Sequence, residues 1–278
     1  MSATLKHRPP SEAMPPPGEV LDSARKNERW IALLIGICQY SGGTDDSGFP
    51  SLTTPGNDVN ELAHLLKNDY GFDDVKTLLD KDATLVGIRA AFDDLHMRCG
   101  KNDNVFVYYA GHGHVKSNGA GIWIPSDATS IYQGMDNAEI KEFLVRLPAR
   151  RVLLVSDSCY SGEFLTRSVQ ANRSIRIGTE ESASMSTRIV KNINPSREVL
   201  TSGNLAPVPD VGTGYCAQHS PFACDLILAL QQVPSGGVIS TTDLYVNIYQ
   251  KRRDVDNMPQ KGTLEGHRQG EFFLMRRK

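Results

Sequence analysis

No apolar run in this 278-residue chain is long enough to cross a bilayer. The longest, Trp30 to Cys38, stops after nine residues, where a spanning helix needs about 20. Charge of either sign is not in excess either. Thirty Lys and Arg face 32 Asp and Glu, leaving a net −2 and a pI near 6.4, so bulk electrostatics favour neither a nucleic-acid nor a membrane partner. Cysteine is sparse. Cys38, Cys99, Cys159, Cys216 and Cys224 form no CxxC pair and no dense framework, which argues against structural zinc and for a reducing compartment. The N-terminus carries no apolar segment of the signal-peptide kind, and the expectation is a cytoplasmic protein.

What remains is 40% hydrophobic, enough for one substantial α/β core. Residues 1–27 are proline-rich, with Pro9-Pro10 and Pro15-Pro16-Pro17 and no periodicity, and read as a disordered leader. Apolar, β-branched runs at 30–37, 75–79, 105–109, 152–155 and 198–203 read as strands. Segments 57–66, 85–97 and 137–147 carry helical spacing, for example Val59, Leu62, Ala63 and Leu66. This alternation predicts an α/β fold with a mostly parallel sheet and helices on both faces. Residues 121–125 suggest a small edge hairpin, 220–230 and 240–252 two further helices, and 270–275 a closing strand. Between Arg167 and Ser196 all pattern stops, and loops that long inside a compact domain are uncommon.

Chemistry concentrates at two strand ends. The run RVLLVSDSCYSG at 151–162 is a buried strand breaking into small polar residues around Cys159, where open α/β sheets place their ligands. A helix beginning at Glu163-Phe164-Leu165 would point its positive dipole end near the sulfur and lower the thiol pKa. Alone, such a cysteine is equally well a small buried hydrophobe. The run DNVFVYYAGHGH at 103–114 ends likewise, with His112 between two glycines. The two residues are 47 apart in sequence, close to the His-to-Cys spacing of caspases. A cysteine beside an imidazole is a minimal nucleophile for acyl transfer.

YYAGHGH followed by LLVSDSCYSG resembles the caspase-like cysteine peptidases, in their metacaspase and prokaryotic orthocaspase branch. The resemblance implies a caspase-like fold with a six-stranded sheet and a single peptidase domain over residues 28–278. Its large-subunit-like half spans 28–166, a flexible linker 167–197, and its small-subunit-like half 198–278. HSPFACDLILAL and the terminal GEFFL are similar to the small-subunit half of prokaryotic members. The implied activity is endopeptidase cleavage after Arg, with Lys second, through a Cys159–His112 dyad. Backbone N–H groups of Gly113 and Cys159 would form the oxyanion hole.

Asp157 and Asp58 match acidic positions that line the family's pocket for the residue before the cleaved bond. Paired carboxylates suit a guanidinium. Asp58 reads equally as a first-turn helix acid, and Asp157 as a hydrogen-bond anchor. Pro55-Gly56 replaces a frequent family cysteine before the Asn57-Asp58 pair, and Ala110 replaces a serine. Implied partners are protein or peptide substrates and an upstream activating protease, with processing in the arginine-bearing linker. Relatives act in stress, cell-death or defence pathways. No cofactor is expected; calcium dependence, known in several members, is unassigned. Two rivals stay open: a catalytically inactive caspase-fold scaffold, and a metallohydrolase using His112 and His114.

Overall fold

The structure, a computed structural model, describes residues 28–41, 48–158, 164, 194–203, 210–252 and 258–278. The leader, Cys159 and nearly all of the linker lie outside the described residues. The first strand, β1 (Trp30–Gly36), is buried along its whole length, as the unbroken apolar run requires of a central parallel strand. Helix α1 (Pro55–Asn68) leads to β2 (Asp74–Leu79), and α2 (Leu85–Arg98) leads to β3 (Asn104–Ala110). Three short strands, β4 (Gly113–Val115), β5 (Gly121–Trp123) and β6 (Met135–Asp136), form a separate small sheet. Helix α3 (Asn137–Arg146) then precedes β7 (Arg151–Asp157), and β8 is Ser196–Thr201. The chain continues through α4 (Pro221–Gln231), β9 (Val238–Ser240), α5 (Thr241–Arg252), β10 (Gln260–Thr263) and β11 (Phe273–Met275).

The main sheet has six strands in the order β10-β8-β7-β3-β1-β2, all parallel except β10. Alternate residues of the central strands serve opposite layers. Leu33, Val107 and Leu154 pack with Ile88 and Phe92 of α2 and Ile140 of α3. Leu34, Phe106 and Leu153 pack with Leu62 of α1, Leu226 of α4 and Ile248 of α5. The sheet is thus covered on both faces, and each fully buried Leu or Phe contributes roughly 1.5–3 kcal/mol of transfer free energy.

Two expectations need correction, the hairpin and the reading of the cysteines. The closing strand is β11, which pairs with β9 in a two-stranded sheet apart from the main one. The sixth place is taken by β10, antiparallel to β8, whose QKGT sequence lacks the apolar character of a central strand because it lies at an edge. The hairpin expected at 121–125 is the middle strand of the three-stranded sheet. Cys216 and Cys224 form a disulfide, so the scattered cysteines no longer argue for a reducing compartment. No helix among the described residues is long and apolar enough to cross a membrane.

Register positions the site. Gly36 pairs with Ala110, Ala110 with Asp157, and Ser156 with Thr201. The carboxyl ends of β1, β3, β7 and β8 therefore form one level rim. The chain steps from β1 outward to β2, then returns to β3 on the other side of β1. That reversal opens a crevice between the loops after β1 and β3.

Candidate active site

His112 stands in this crevice, two residues beyond β3. Its backbone N–H donates to the Tyr40 phenol oxygen at 2.8 Å, and its carbonyl accepts from the Tyr109 hydroxyl at 2.7 Å and from the N–H of Ile124 at 3.0 Å. Tyr109 is itself stacked on Trp123, ring centroids 4.0 Å apart. A side chain at Gly111 would meet the Tyr40 and Tyr109 hydroxyl oxygens at 2.8 and 2.9 Å, so only glycine allows both phenols to close on the histidine backbone. The imidazole lies beside the Tyr40 and Phe49 rings, and its Nε2 is 2.8 Å from the Pro50 carbonyl oxygen. A carbonyl only accepts, so Nε2 carries the proton and Nδ1 is the basic nitrogen. Burial lowers the pKa of His112 below its ordinary value, against the opposing pull of the Pro50 carbonyl and Asp210. Burial thus favours the neutral ring.

The N–H of Gly111 donates to the carbonyl of Asp157 at 3.4 Å, tying the residue before the histidine to the end of β7. Cys159, two positions further on, lies outside the described residues. Gly113 opens β4 opposite Trp123. His114, in the same strand, pairs with Ile122. Among the described residues no group of three or more His, Cys, Asp or Glu could hold a metal ion.

The two acids meet through one residue. Asp58, fully buried in α1, accepts from the backbone N–H of Ser220 at 3.4 Å, while Asp157 accepts from the Ser220 hydroxyl. Asp58 Oδ1 also lies 2.7 Å from His219 Nδ1. Burial, then the nearby Asp157 charge, pushes the Asp58 carboxyl up to about 9. Asp157 is raised as well, chiefly by burial. Asp58 is the acid of the first turn of α1, as the alternative reading expected, but it is not the N-cap, which is Thr54. Asp210 serves that end of α1 instead. Its carboxylate accepts from the N–H and hydroxyl of Thr53 at 2.7 and 2.6 Å and from those of Thr54 at 3.3 and 3.0 Å. Burial opposes its charge, but these bonds carry its pKa below the ordinary value.

Residues 29–258 match the caspase domain family. The chain belongs to that family. It is 30% identical over 148 residues to Metacaspase-7 of Arabidopsis thaliana, an alignment covering 47% of this chain and 34% of that protein. The alignment thus spans about a third of that relative's length. The crystal structure of protein GSU0716 from Geobacter sulfurreducens shares the fold, with a TM-score of 0.57 at 20% identity over 85% of this chain and 93% of that one. The caspase domain family is one of cysteine peptidases, and protein substrates are the class it implies.

Cys38 lies against the start of α1. A Cβ at Gly56 would lie 3.5 Å from Cys38 Sγ, and the Gly56 N–H donates to that sulfur at 3.3 Å. Burial raises the Cys38 pKa, so this thiol is not an activated one. The residues that sequence reading missed, Tyr40, Pro50, Asp210 and His219, reach the site across long separations; Asp210 and His219 lie 157 and 161 positions from Thr53 and Asp58. No local motif marks such contacts.

Burial of Asp58 has a sign in pH. Its folded pKa lies above the unfolded value, so between the two the native state holds a proton that the unfolded chain has lost, and stability falls as pH rises. Between about pH 7 and 8.5 the loss is roughly 1.4 kcal/mol per pH unit for one such proton. Asp58→Asn is expected to flatten that slope by about this amount in urea unfolding; an unchanged slope would mean that Asp58 is ionised in the native state.

Proposed function

We propose that this caspase domain is a cysteine endopeptidase cleaving after basic residues, Arg before Lys, through Cys159 and His112. The observation that carries the reading is the Gly111 to Asp157 hydrogen bond between the ends of β3 and β7. His112 follows one of these residues directly, and Cys159 follows the other by two positions, a tether of at most about 7 Å. The chemistry needs a neutral imidazole with one nitrogen oriented and the other basic, and the Pro50 contact supports that state. His112 Nδ1 takes the thiol proton, and Cys159 Sγ attacks the peptide carbonyl. The oxyanion is met by the N–H groups of Gly113 and Cys159. Nδ1–H then returns its proton to the leaving amine, and water, deprotonated by the same nitrogen, releases the acyl group.

Specificity rests on Asp157 and Asp58. Two carboxyls sharing Ser220 as a neighbour, both destabilised by burial, gain most from a cation that ionises them. A guanidinium satisfies two carboxylates with fixed forks, whereas an ammonium is a point charge. Fluorogenic peptides ending in Arg, Lys or Asp test this. Turnover is expected for Arg above Lys and to vanish in Cys159→Ala and His112→Ala, and Asp157→Asn should lower kcat/KM for Arg by at least about tenfold. Preference for Asp would overturn the basic pocket.

Arg197, expected in the linker, is instead buried in β8, which begins at Ser196. An enzyme of this specificity would find sites in its own linker, where Arg167, Arg173, Arg176, Arg188 and Lys191 stand. Cleavage there is the expected activating step. Intact-mass measurement should show fragments ending at one of these residues in wild type and none in Cys159→Ala; a single intact mass in both, in protein that turns over peptide, would show that processing is not required.

A further inference from the structure

The segment that reaches the two acids from the small half is a closed unit. The Gly212 N–H donates to the His219 carbonyl at 2.8 Å, the His219 N–H to the Cys216 carbonyl at 2.9 Å, and Cys216 is bonded to Cys224 of α4. Its docking on α1 is equally specific: Asp210 binds Thr53 and Thr54, and the Asn57 side chain donates to the Gln218 carbonyl at 3.1 Å. At its end the His219 imidazole sits on Asp58. That carboxyl has no exposed side-chain surface, while the imidazole is 21% exposed. The ring therefore stands between Asp58 and solvent.

We propose that His219 is an internal competitor for the basic-residue pocket: its imidazole occupies the place on Asp58 that a substrate's cationic side chain must take. The inference rests on the Asp58–Asp157 reading above. Among the described residues the segment is held by backbone bonds, by the Asp210, Asn57 and Ser220 side chains and by the disulfide, so the imidazole can leave by side-chain rotation with the backbone in place. While it is in place, apparent affinity is reduced by the fraction of molecules in which the ring has swung out. That loss is the same for every ligand that displaces the ring. Removing the imidazole should therefore strengthen binding of Arg and Lys side chains by one common factor, with the step after binding unchanged.

Steady-state kinetics on peptides ending in Arg and in Lys, with wild type, His219→Ala and His219→Ser, tests this. Both variants are expected to lower KM about tenfold for both peptides, the size of one hydrogen bond to an ionisable group, with kcat unchanged. Benzamidine, an aromatic amidine, should bind the doubly substituted Cys159→Ala, His219→Ala protein tighter than Cys159→Ala by a similar factor in calorimetry. Unchanged or raised KM in both variants overturns the proposal. So does a gain for one cation only, which would put His219 in contact with the bound side chain. A wild type with no turnover after Arg or Lys refutes the basic pocket itself, and the competitor with it, whereas basic preference with an unmoved KM removes the competitor alone.

Discussion

The pairing of β3 with β7 is the interaction on which the site depends. Seven consecutive residues of each strand, from Asn104 with Arg151 to Ala110 with Asp157, run parallel in register. A slip of one residue would turn every side chain to the opposite layer, and both layers are filled by large apolar groups. The register is therefore fixed by the core rather than by the site. Its consequence is local: the two strands release their chains at the same height, so the peptides carrying His112 and Asp157 emerge side by side. Tyr40 and Pro50, from the loop after β1, then hold the His112 backbone N–H and the imidazole respectively, from the third neighbouring strand end.

Burial creates the second feature, a pair of acids that resist ionisation. Asp58, in α1, and Asp157, at the end of β7, are both buried, and the basic side chain bonded to Asp58 is His219. Ser220 spans them and also caps α4, its hydroxyl accepting from the Ala223 N–H. One residue thus joins the last residue of β7, the fourth of α1 and the start of α4. Substitutions near Ser220 would therefore reach both acids at once.

Much of this was legible in the sequence, for reasons that differ by element. β1, β3 and β7 are unbroken apolar runs because both their faces are covered, and that makes them conspicuous. α1 shows in the spacing of Val59, Leu62 and Leu66, all turned to the core. β10 did not show, since an edge strand of intermediate exposure needs no apolar side chains. The closing strand showed as an apolar run, and its Phe273–Met275 part pairs with β9, a partner the run itself does not indicate. The Cys216–Cys224 link has no spacing signature, and the contacts of Asp210 and His219 with α1 arise only when the sheet brings distant segments together. The two strand-end motifs pointed to the rim of the sheet; the fold supplied the groups around His112.

The central claim is that an imidazole delivered by β3 lies within proton-transfer reach of the thiol that follows β7. The rate of iodoacetamide alkylation at Cys159, followed by peptide mass at neutral pH in wild type and His112→Ala, tests that reach without any assumption about substrate. A thiol assisted by a neighbouring base reacts through its larger thiolate share, so loss of His112 should slow modification of Cys159 by about tenfold or more. Equal rates in the two proteins would contradict it.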